Sequence, residues 1–202
     1  MKKLLFIFSL LIFVMACKTT PKSTVPEDVV IADEPISAEE NIKTEVSENK
    51  KLYILPDNTS IRYTDRGKIL ETTPKIIFKF VETNMPPTAD ISFAQVIEFL
   101  EKNPNVNIVL EAHTSNRGKA YPYNYNLSVV RAKNGRNYLL NKGVSPQRVI
   151  ESPLGEAVPE YPTQDELRRY EFVIIGNNDD MVKYNTYISG LDVRKETTYQ
   201  KN

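Results

Sequence analysis

The spacing of apolar residues between 75 and 176 switches repeatedly between the period of a strand and the period of a helix. KIIFKFVE, residues 75–82, is rich in β-branched and aromatic side chains and predicts a strand. Apolar side chains then recur at i, i+3, i+4 and i+7, which predicts a helix with one apolar face at Phe93, Val96, Ile97 and Leu100. Such alternation predicts helices packed on a sheet.

A second strand and helix follow. VNIVLEA, residues 106–112, alternates apolar and polar positions and predicts a strand with one face buried. The next helix is predicted to begin at Asn126, as its cap, and to end near Lys142, with Gly143 as the left-handed residue after it. Gly135 on its apolar face would let another element approach closely, at a cost in helix propensity of roughly 1 kcal/mol.

Two final strands are predicted at RVIES, residues 148–152, and at RYEFVIIG, residues 169–176. The order is therefore β-α-β-α-β-β. This order predicts an α/β (α+β) fold, a two-layer sandwich in which both helices cover one face of a mixed sheet. The crossover through each helix should be right-handed.

The remaining segments differ in composition from this region. Residues 1–16 have two lysines followed by an apolar run and predict a secretion signal. Residues 17–50 contain no aromatic residue and are rich in Pro, Ser, Thr, Glu and Lys, so a disordered tether is predicted. Residues 51–74 predict short extended pieces around turns, and residues 177–202 a polar, weakly structured tail with one short element at YNTYISG.

The chain has one cysteine, Cys17, directly after the predicted signal. Exported proteins usually carry cysteines in pairs or not at all, so an unpaired cysteine here needs another explanation. The stretch from Val14 to Cys17 resembles a bacterial lipobox, in which the cysteine is acylated after cleavage. Multiple acyl chains give stable membrane attachment, and Cys17 is therefore predicted to be lipidated.

Charge and motifs exclude several functions. The 26 basic and 26 acidic residues give no net charge, so no basic surface for nucleic acid is predicted. Phosphate-loop, zinc and calcium signatures do not occur, and no cofactor or metal is predicted. The single histidine, His113, is followed by Thr114, Ser115 and Asn116, with no Asp nearby in the sequence to orient it for catalysis, so an enzyme is not predicted.

Three segments together resemble the OmpA-like peptidoglycan-binding domain family. They are VNIVLEAHTSNRG, NLSVVRAKNGRNYLLNKGVSPQRVIESPLGE and RRYEFVII, and the resemblance runs from about Lys75 to Ile175. That family commonly shows G-H-T-D-x-x-G after a strand, L-S-x-x-R-A in a helix, G-x-G-E, and a closing N-R-R strand. The positions that match include His113, Thr114, Gly118, Leu127, Ser128, Arg131, Ala132, Gly143, Gly155, Glu156 and Arg169.

The resemblance implies that the domain binds the stem peptide of peptidoglycan. In such domains the arginine of R-A binds a ligand carboxylate and the aspartate of T-D binds a ligand ammonium. The ligand-binding residues implied here are Arg131, Ser115, Thr114, Asn126 and Arg169. A guanidinium matches a carboxylate through two parallel hydrogen bonds, which suits Arg131. Without the resemblance, an ion pair between Arg131 and Glu156 is the alternative interpretation.

Ser115 departs from the family pattern, because it stands where the family has aspartate. A neutral serine makes a weaker contact with an ammonium group than a carboxylate does. Either the bound stem-peptide residue lacks the second zwitterionic centre, as lysine or ornithine does, or the domain no longer binds diaminopimelate. The tyrosine-bearing loop KAYPYNY, residues 119–125, is also one residue longer than usual and could serve either case.

The sequence therefore predicts a lipid-anchored envelope protein that links the outer membrane to peptidoglycan without a covalent bond. Its domain should face the periplasm, with Cys17 in the membrane and other envelope proteins as further partners. The alternative is an OmpA-like domain that has lost wall binding and serves as an interaction or structural module.

Overall fold

The computed structural model describes residues 53–194. The predicted signal, Cys17 and the tether lie outside these residues, so what the sequence predicts for them stays a prediction. The described part contains five strands and three helices in the order β-β-α-β-α-β-β-α. Their bounds are Thr59–Thr64 (β1), Gly67–Thr72 (β2), Ala89–Lys102 (α1), Asn107–His113 (β3), Tyr125–Asn141 (α2), Val149–Gly155 (β4), Tyr170–Ile175 (β5) and Asn178–Ser189 (α3).

The five strands form one mixed sheet in the order β1-β2-β5-β3-β4. β3 and β4 run parallel, as strands joined by a crossover through a helix must, and the other neighbouring pairs are antiparallel. The mixed α/β fold is confirmed. The first strands come from residues 59–72, so this hairpin belongs to the sheet. Its turn contains Arg66, and Gly67 has φ of +138°, a backbone conformation that favours glycine.

The prediction of a strand at residues 75–82 is wrong. This segment makes one isolated bridge, Ile77 to Arg169, together with backbone hydrogen bonds at Ile76 and Phe78. Its side chains do alternate, because Ile76 and Phe78 are buried. The segment does not become a strand because β2 already pairs with β5 along Lys68, Ile69 and Leu70. The segment at residues 75–82 can therefore pair only with the backbone at the start of β5.

The predicted packing of two helices on one face of the sheet is confirmed. Phe93 and Phe99 of α1 and Leu139 of α2 lie in one buried cluster with Leu110 of β3 and Phe172 of β5. The close approach predicted at Gly135 is also present. A Cβ atom there would lie 2.9 Å from Leu110 Cδ1 and 3.0 Å from the Tyr170 ring, so α2 can pack this near to the sheet only without a side chain at this position.

The opposite face of the sheet is covered by α3, which corrects two predictions. The tail was predicted to be weakly structured, but residues 178–189 form a helix whose Tyr184 packs with Val109 and Val173. The sequence predicts that only one face of β3 is buried, but both faces are buried because α3 covers the second. Among residues 53–194, no helix is long and apolar enough to cross a membrane.

Candidate functional site

Arg131 of α2 is fully buried and its guanidinium is bound by backbone carbonyl groups. Nε and Nη2 donate to Glu82 O at 2.9 and 2.7 Å, Nη2 also donates to Lys79 O at 3.3 Å, and Nη1 donates to His113 O at 3.1 Å. The guanidinium lies over the ring of Phe78, 4.3 Å from its centroid. Arg131 therefore connects the turn at residues 79–82 to the end of β3.

The Arg131 cation has no ion-pair partner among the described residues. Burial lowers the pKa of Arg131 to about 10, because neutral carbonyl oxygens replace water and supply no negative charge. The alternative interpretation, an ion pair with Glu156, is wrong, since the Glu156 carboxylate accepts a hydrogen bond from Asn124 instead. A buried guanidinium without a carboxylate is a site where an anionic ligand group would be stabilised.

Thr114 and Ser115 lie in the loop directly after the Arg131 contact at His113. Both residues are buried, and the loop is held by Thr114 N donating to Gly155 O at 2.8 Å and by Asn124 Nδ2 donating to Ser115 O at 3.2 Å. Within residues 53–194, the Thr114 hydroxyl has no hydrogen-bond partner. The structure therefore brings Arg131, Thr114 and Ser115 to one end of β3.

The other two predicted ligand-binding residues lie elsewhere. Asn126 was predicted to cap α2, but the helix already begins at Tyr125, and Asn126 is exposed in its first turn. Asn124, the last residue of the wide turn Ala120–Asn124, occupies the N-cap position that the sequence assigns to Asn126. Arg169 is buried in a separate group of charged residues, where Nη2 donates to Glu171 Oε2 at 2.7 Å.

That separate group, here called the charge cluster, consists of Arg62, Arg66, Arg169, Glu111, Glu160, Glu171 and His113. At its centre, Glu111 and Glu171 stand directly opposite each other on β3 and β5. Arg66, from the β1–β2 turn, bridges them: Nε donates to Glu111 at 3.0 Å and Nη2 to Glu171 at 2.5 Å. Two like charges can stay adjacent on a sheet because the guanidinium lies between them.

The electrostatics of the charge cluster favour the ionised form of Glu171. Burial by itself would raise the pKa of Glu171, but the positive charges of His113, once it is protonated in acid, and of Arg169 and Arg66 outweigh it and lower the pKa to about 2. The pKa of His113 is lowered by its burial and by the charge of Arg169, so the imidazole is neutral at pH 7. His113 lies 3.2 Å from Glu111 and 3.4 Å from Glu171, and acts as part of the scaffold.

Glu111, His113 and Glu171 also have the geometry of a possible metal group, because their ligand atoms lie within 4.8 Å of one another. Their surroundings do not suit a divalent cation. Arg66 already donates to both carboxylates and Arg169 to that of Glu171, so a metal ion would have to lie beside these two buried positive charges. The charge cluster is therefore balanced without a metal.

The sequence reasoning missed the charge cluster, although two residues signalled it. Glu111 and Glu171 interrupt apolar strands, in VLEAH and YEFVII, at positions where an ionised side chain needs a partner. The partner Arg66 is 45 residues before Glu111 in the sequence. It could not be identified without knowing that the β1–β2 hairpin joins the sheet.

The surface above Arg131 is formed by the turn at residues 79–82. Phe80 and Val81 are about half exposed, and Val81 has φ of +55°, a conformation that a β-branched residue adopts at a cost. Arg117 lies 5.7 Å from the centroid of the Phe80 ring, and the exposed Tyr123 packs beside Gly118. Apolar side chains from two loops therefore surround the covered guanidinium.

Comparisons with known proteins agree with this architecture. The OmpA family model matches residues 77–171. The structure is similar to the periplasmic domain of Helicobacter pylori MotB, with 18% sequence identity and a TM-score of 0.51 over 66% of this chain and 88% of that one. It also matches the peptidoglycan-associated lipoprotein of Burkholderia pseudomallei, with 21% identity and a TM-score of 0.42 over 50% of this chain and 89% of that one.

No curated protein matches the sequence. The likeness to the MotB domain, at 18% sequence identity, concerns the fold alone. The family match over residues 77–171 includes the Arg131 site and β3, but it ends at Glu171 and leaves out Arg62 and Arg66 of the charge cluster. Residues 77–171 of the chain therefore match the OmpA family.

Proposed function

We propose that this protein binds the stem peptide of peptidoglycan and attaches an envelope membrane to the cell wall. Arg131 binds a carboxylate of the peptide, and Thr114 and Ser115 contribute hydrogen bonds from the adjacent loop. Cys17 carries the lipid, residues 18–50 form the tether, and the domain faces the periplasm from the outer membrane. The family of the domain supports wall binding, while the lipid anchor rests on the sequence around Cys17.

The observation that carries the proposal is the missing negative charge at Arg131. Its partners are three backbone carbonyl groups, and its pKa is lowered to about 10 because burial outweighs every favourable charge near it. A ligand carboxylate would supply the absent charge and a bidentate hydrogen bond. Ligand binding should therefore raise the pKa of Arg131 and stabilise the folded protein by mass action.

A ligand reaches Arg131 only when the turn at residues 79–82 moves, since the guanidinium is fully buried beneath it. The carboxylate would replace the carbonyl oxygens of Lys79 and Glu82. The positive φ of Val81 makes this turn costly to hold, so its displacement costs less than that of a relaxed turn. Binding should accordingly be slower than diffusion and moderate in affinity.

The direct test is co-sedimentation of the purified protein with peptidoglycan sacculi of its own organism. Arg131→Lys keeps the positive charge but loses the two parallel N–H donors of the guanidinium, so retention of the protein by sacculi should fall at least 10-fold. Arg136→Lys on the same helix is the matched control, because Arg136 donates to Val149 O and Pro146 O on the far side. Equal retention of both variants would overturn Arg131 as the ligand contact.

Ser115 supplies a second test of the ligand. Because Ser115 lacks the carboxylate that the family places there, meso-diaminopimelate peptides should bind weakly in calorimetry. Ser115→Asp should increase their affinity at least 10-fold, whereas Ser145→Asp, at an exposed position, should leave it unchanged. Tight binding of these peptides by the wild-type protein would show that another group replaces the missing acid.

A protein-interaction module is the second candidate function, and exposed apolar side chains favour it. Phe80, Val81 and Tyr123 are each close to half exposed near the covered Arg131. Under this reading, sacculi would not retain the protein at all. Cross-linking from Tyr123 in the intact envelope would then capture a protein partner.

A further inference from the structure

A separate open pocket of about 460 Å³ lies beside the outer surface of α2, within the usual volume range of small-molecule sites of roughly 300–1,000 Å³. It lies between α2, the start of α1 and the segment at residues 84–87. None of the residues assigned to the stem-peptide site lines it. The lining residues are Asn84, Met85, Pro86, Pro87, Asp90, Asn134, Asn137, Tyr138 and Asn141.

The polar groups of this pocket, here called the amide pocket, are mostly carboxamides. Asn134, Asn137 and Asn141 recur at i, i+3 and i+7 along one face of α2, and Asn84 faces them from the loop. Each carboxamide offers both donors and an acceptor. Within residues 53–194, the amides of Asn84, Asn137 and Asn141 make no hydrogen bond to the protein, so they can bind a ligand.

The other walls of the amide pocket are mostly apolar, and hydrogen bonds and a ring contact connect them to the rest of the domain. The Tyr138 ring stacks on Phe93 with centroids 4.6 Å apart, and its hydroxyl donates to Asp90 Oδ1 at 2.7 Å. Pro86 and Pro87 restrict the loop opposite, and Asn134 Nδ2 donates to Thr83 O at 3.2 Å. The pocket is therefore formed before any ligand arrives, which reduces the entropy lost on binding.

The charge of the amide pocket limits its ligand. No lysine or arginine lines it, and its one carboxylate, Asp90, is engaged by Tyr138. The lining therefore offers anions such as phosphates no counter-charge, and Lys142, whose Nζ lies 5.5 Å from the centroid of the Tyr138 ring, is not part of that lining. An uncharged ligand whose groups each donate and accept hydrogen bonds, as sugar hydroxyl and acetamido groups do, matches the carboxamides.

We infer that the amide pocket binds an N-acetylated hexosamine of a glycan chain. Sugar binding follows from the pocket itself, whereas the choice of an N-acetylated sugar rests on the proposed function, because glycan strands of peptidoglycan consist of such sugars. The placement agrees with one polymer contacting both sites. Asn134, Asn137 and Asn141 follow Arg131 along α2, roughly 5 to 15 Å further along the helix axis at 1.5 Å per residue.

The test is an NMR titration of the ¹⁵N-labelled full-length protein with an N-acetylglucosamine tetramer, and with a glucose tetramer as the ligand control. The side-chain amide signals of Asn134, Asn137 and Asn141 should shift saturably with the first sugar and at least 10-fold more weakly with the second. Asn137→Ala and Asn141→Ala, both at exposed positions, should each lower the affinity at least 5-fold. Asn185→Ala, at an exposed position of α3, is the matched control.

The outcomes separate this inference from the proposed function. Arg131→Lys should lose the stem peptide and keep the N-acetylglucosamine tetramer. If the protein binds sacculi and stem peptide but no sugar signal shifts, the amide pocket is not a glycan site and the proposed function stands. Equal affinity for the glucose tetramer would overturn the assignment to N-acetylated sugars. Sugar binding without stem-peptide binding would support the amide pocket and refute the role of Arg131.

Discussion

The charge cluster and the Arg131 site both contain buried arginines, but only the first neutralises them. Arg66 lies between three carboxylates, those of Glu111, Glu160 and Glu171. Arg131 is equally buried and contacts only neutral groups, which are backbone carbonyls and the ring of Phe78. A buried arginine that is paired with carboxylates contributes to stability only while all of those partners are present. A buried arginine without a carboxylate partner can still bind an anion. The difference separates a structural region from a candidate binding region.

Removing one arginine of the charge cluster should cause the largest loss of stability. Arg66→Met removes the arginine partner of the buried Glu111 and leaves Arg62 and Arg169 to neutralise Glu171, so we expect a loss of about 3–5 kcal/mol in the free energy of unfolding. Urea denaturation followed by circular dichroism measures it. Arg117→Met, at an exposed arginine, should change stability by at most about 0.5 kcal/mol. A loss below 1 kcal/mol for Arg66→Met would contradict a compensated cluster.

Acid should weaken the charge cluster in the same way. The folded-state pKa of Glu171, about 2, lies below its ordinary value of 4.5, so its stabilisation is complete above pH 4.5 and is lost as pH falls towards 2. The shift corresponds to a contribution on the order of 3 kcal/mol. The lowered pKa of His113 acts in the same direction below its ordinary value of 6.5.

Urea midpoints measured between pH 7 and pH 2.5 give this dependence. Glu171→Gln removes the titrating group, so its stability should vary less with pH over the lower part of that range. Asp57→Asn, at an exposed carboxylate, should keep the wild-type dependence. If Glu171→Gln lost stability in acid as steeply as the wild-type protein, the low pKa of Glu171 would be refuted.

Removing the uncompensated cation should cost less than removing the compensated one. Arg131→Met leaves backbone carbonyl groups without donors but also removes a buried charge that has no partner, so we expect a loss of about 1–2 kcal/mol. Wall binding should disappear at the same time. Thermal denaturation and sacculus co-sedimentation measure the two effects. A stability loss equal to that of Arg66→Met would remove the distinction between the two regions.

The smallest effect is expected in the turn that covers Arg131. Val81→Gly relieves the positive φ of a β-branched residue, partly offset by glycine entropy, and should stabilise the protein by up to about 1 kcal/mol. Because the covering turn becomes more stable, stem-peptide affinity should fall a few-fold. Val182→Gly, at an exposed position inside α3, should instead destabilise by about 1 kcal/mol. Destabilisation by Val81→Gly would show that the turn is unstrained.

The elements with strong local patterns were predictable from the sequence. Phe93, Val96 and Leu100 marked the buried face of α1, and Gly143, with φ of +93°, ends α2 where it was expected. α3 was missed although signals were present. Asn177 accepts from Asp180 N as its cap, but the apolar content of the helix is too low to identify it before the uncovered sheet face is known.

The candidate site was only partly predictable. The family resemblance placed Arg131, Thr114 and Ser115 together, and the structure has them at one end of β3. It also grouped Arg169 with them, while the structure places its side chain with Glu171. Residues adjacent in a motif can point to different faces of a sheet, because side chains alternate along a strand.

The sequence by itself determined the run from α1 to β5 and the resemblance to the OmpA family, because these depend on the spacing of apolar residues and on short motifs. Only the tertiary structure decided which arginine is neutralised. Arg66 lies 45 residues from Glu111 and 105 from Glu171 in the sequence, yet it touches both. Arg131 lies 49 residues from Glu82 and meets its carbonyl oxygen. Coulomb energy depends on distance through space and on exclusion of water, and folding sets both.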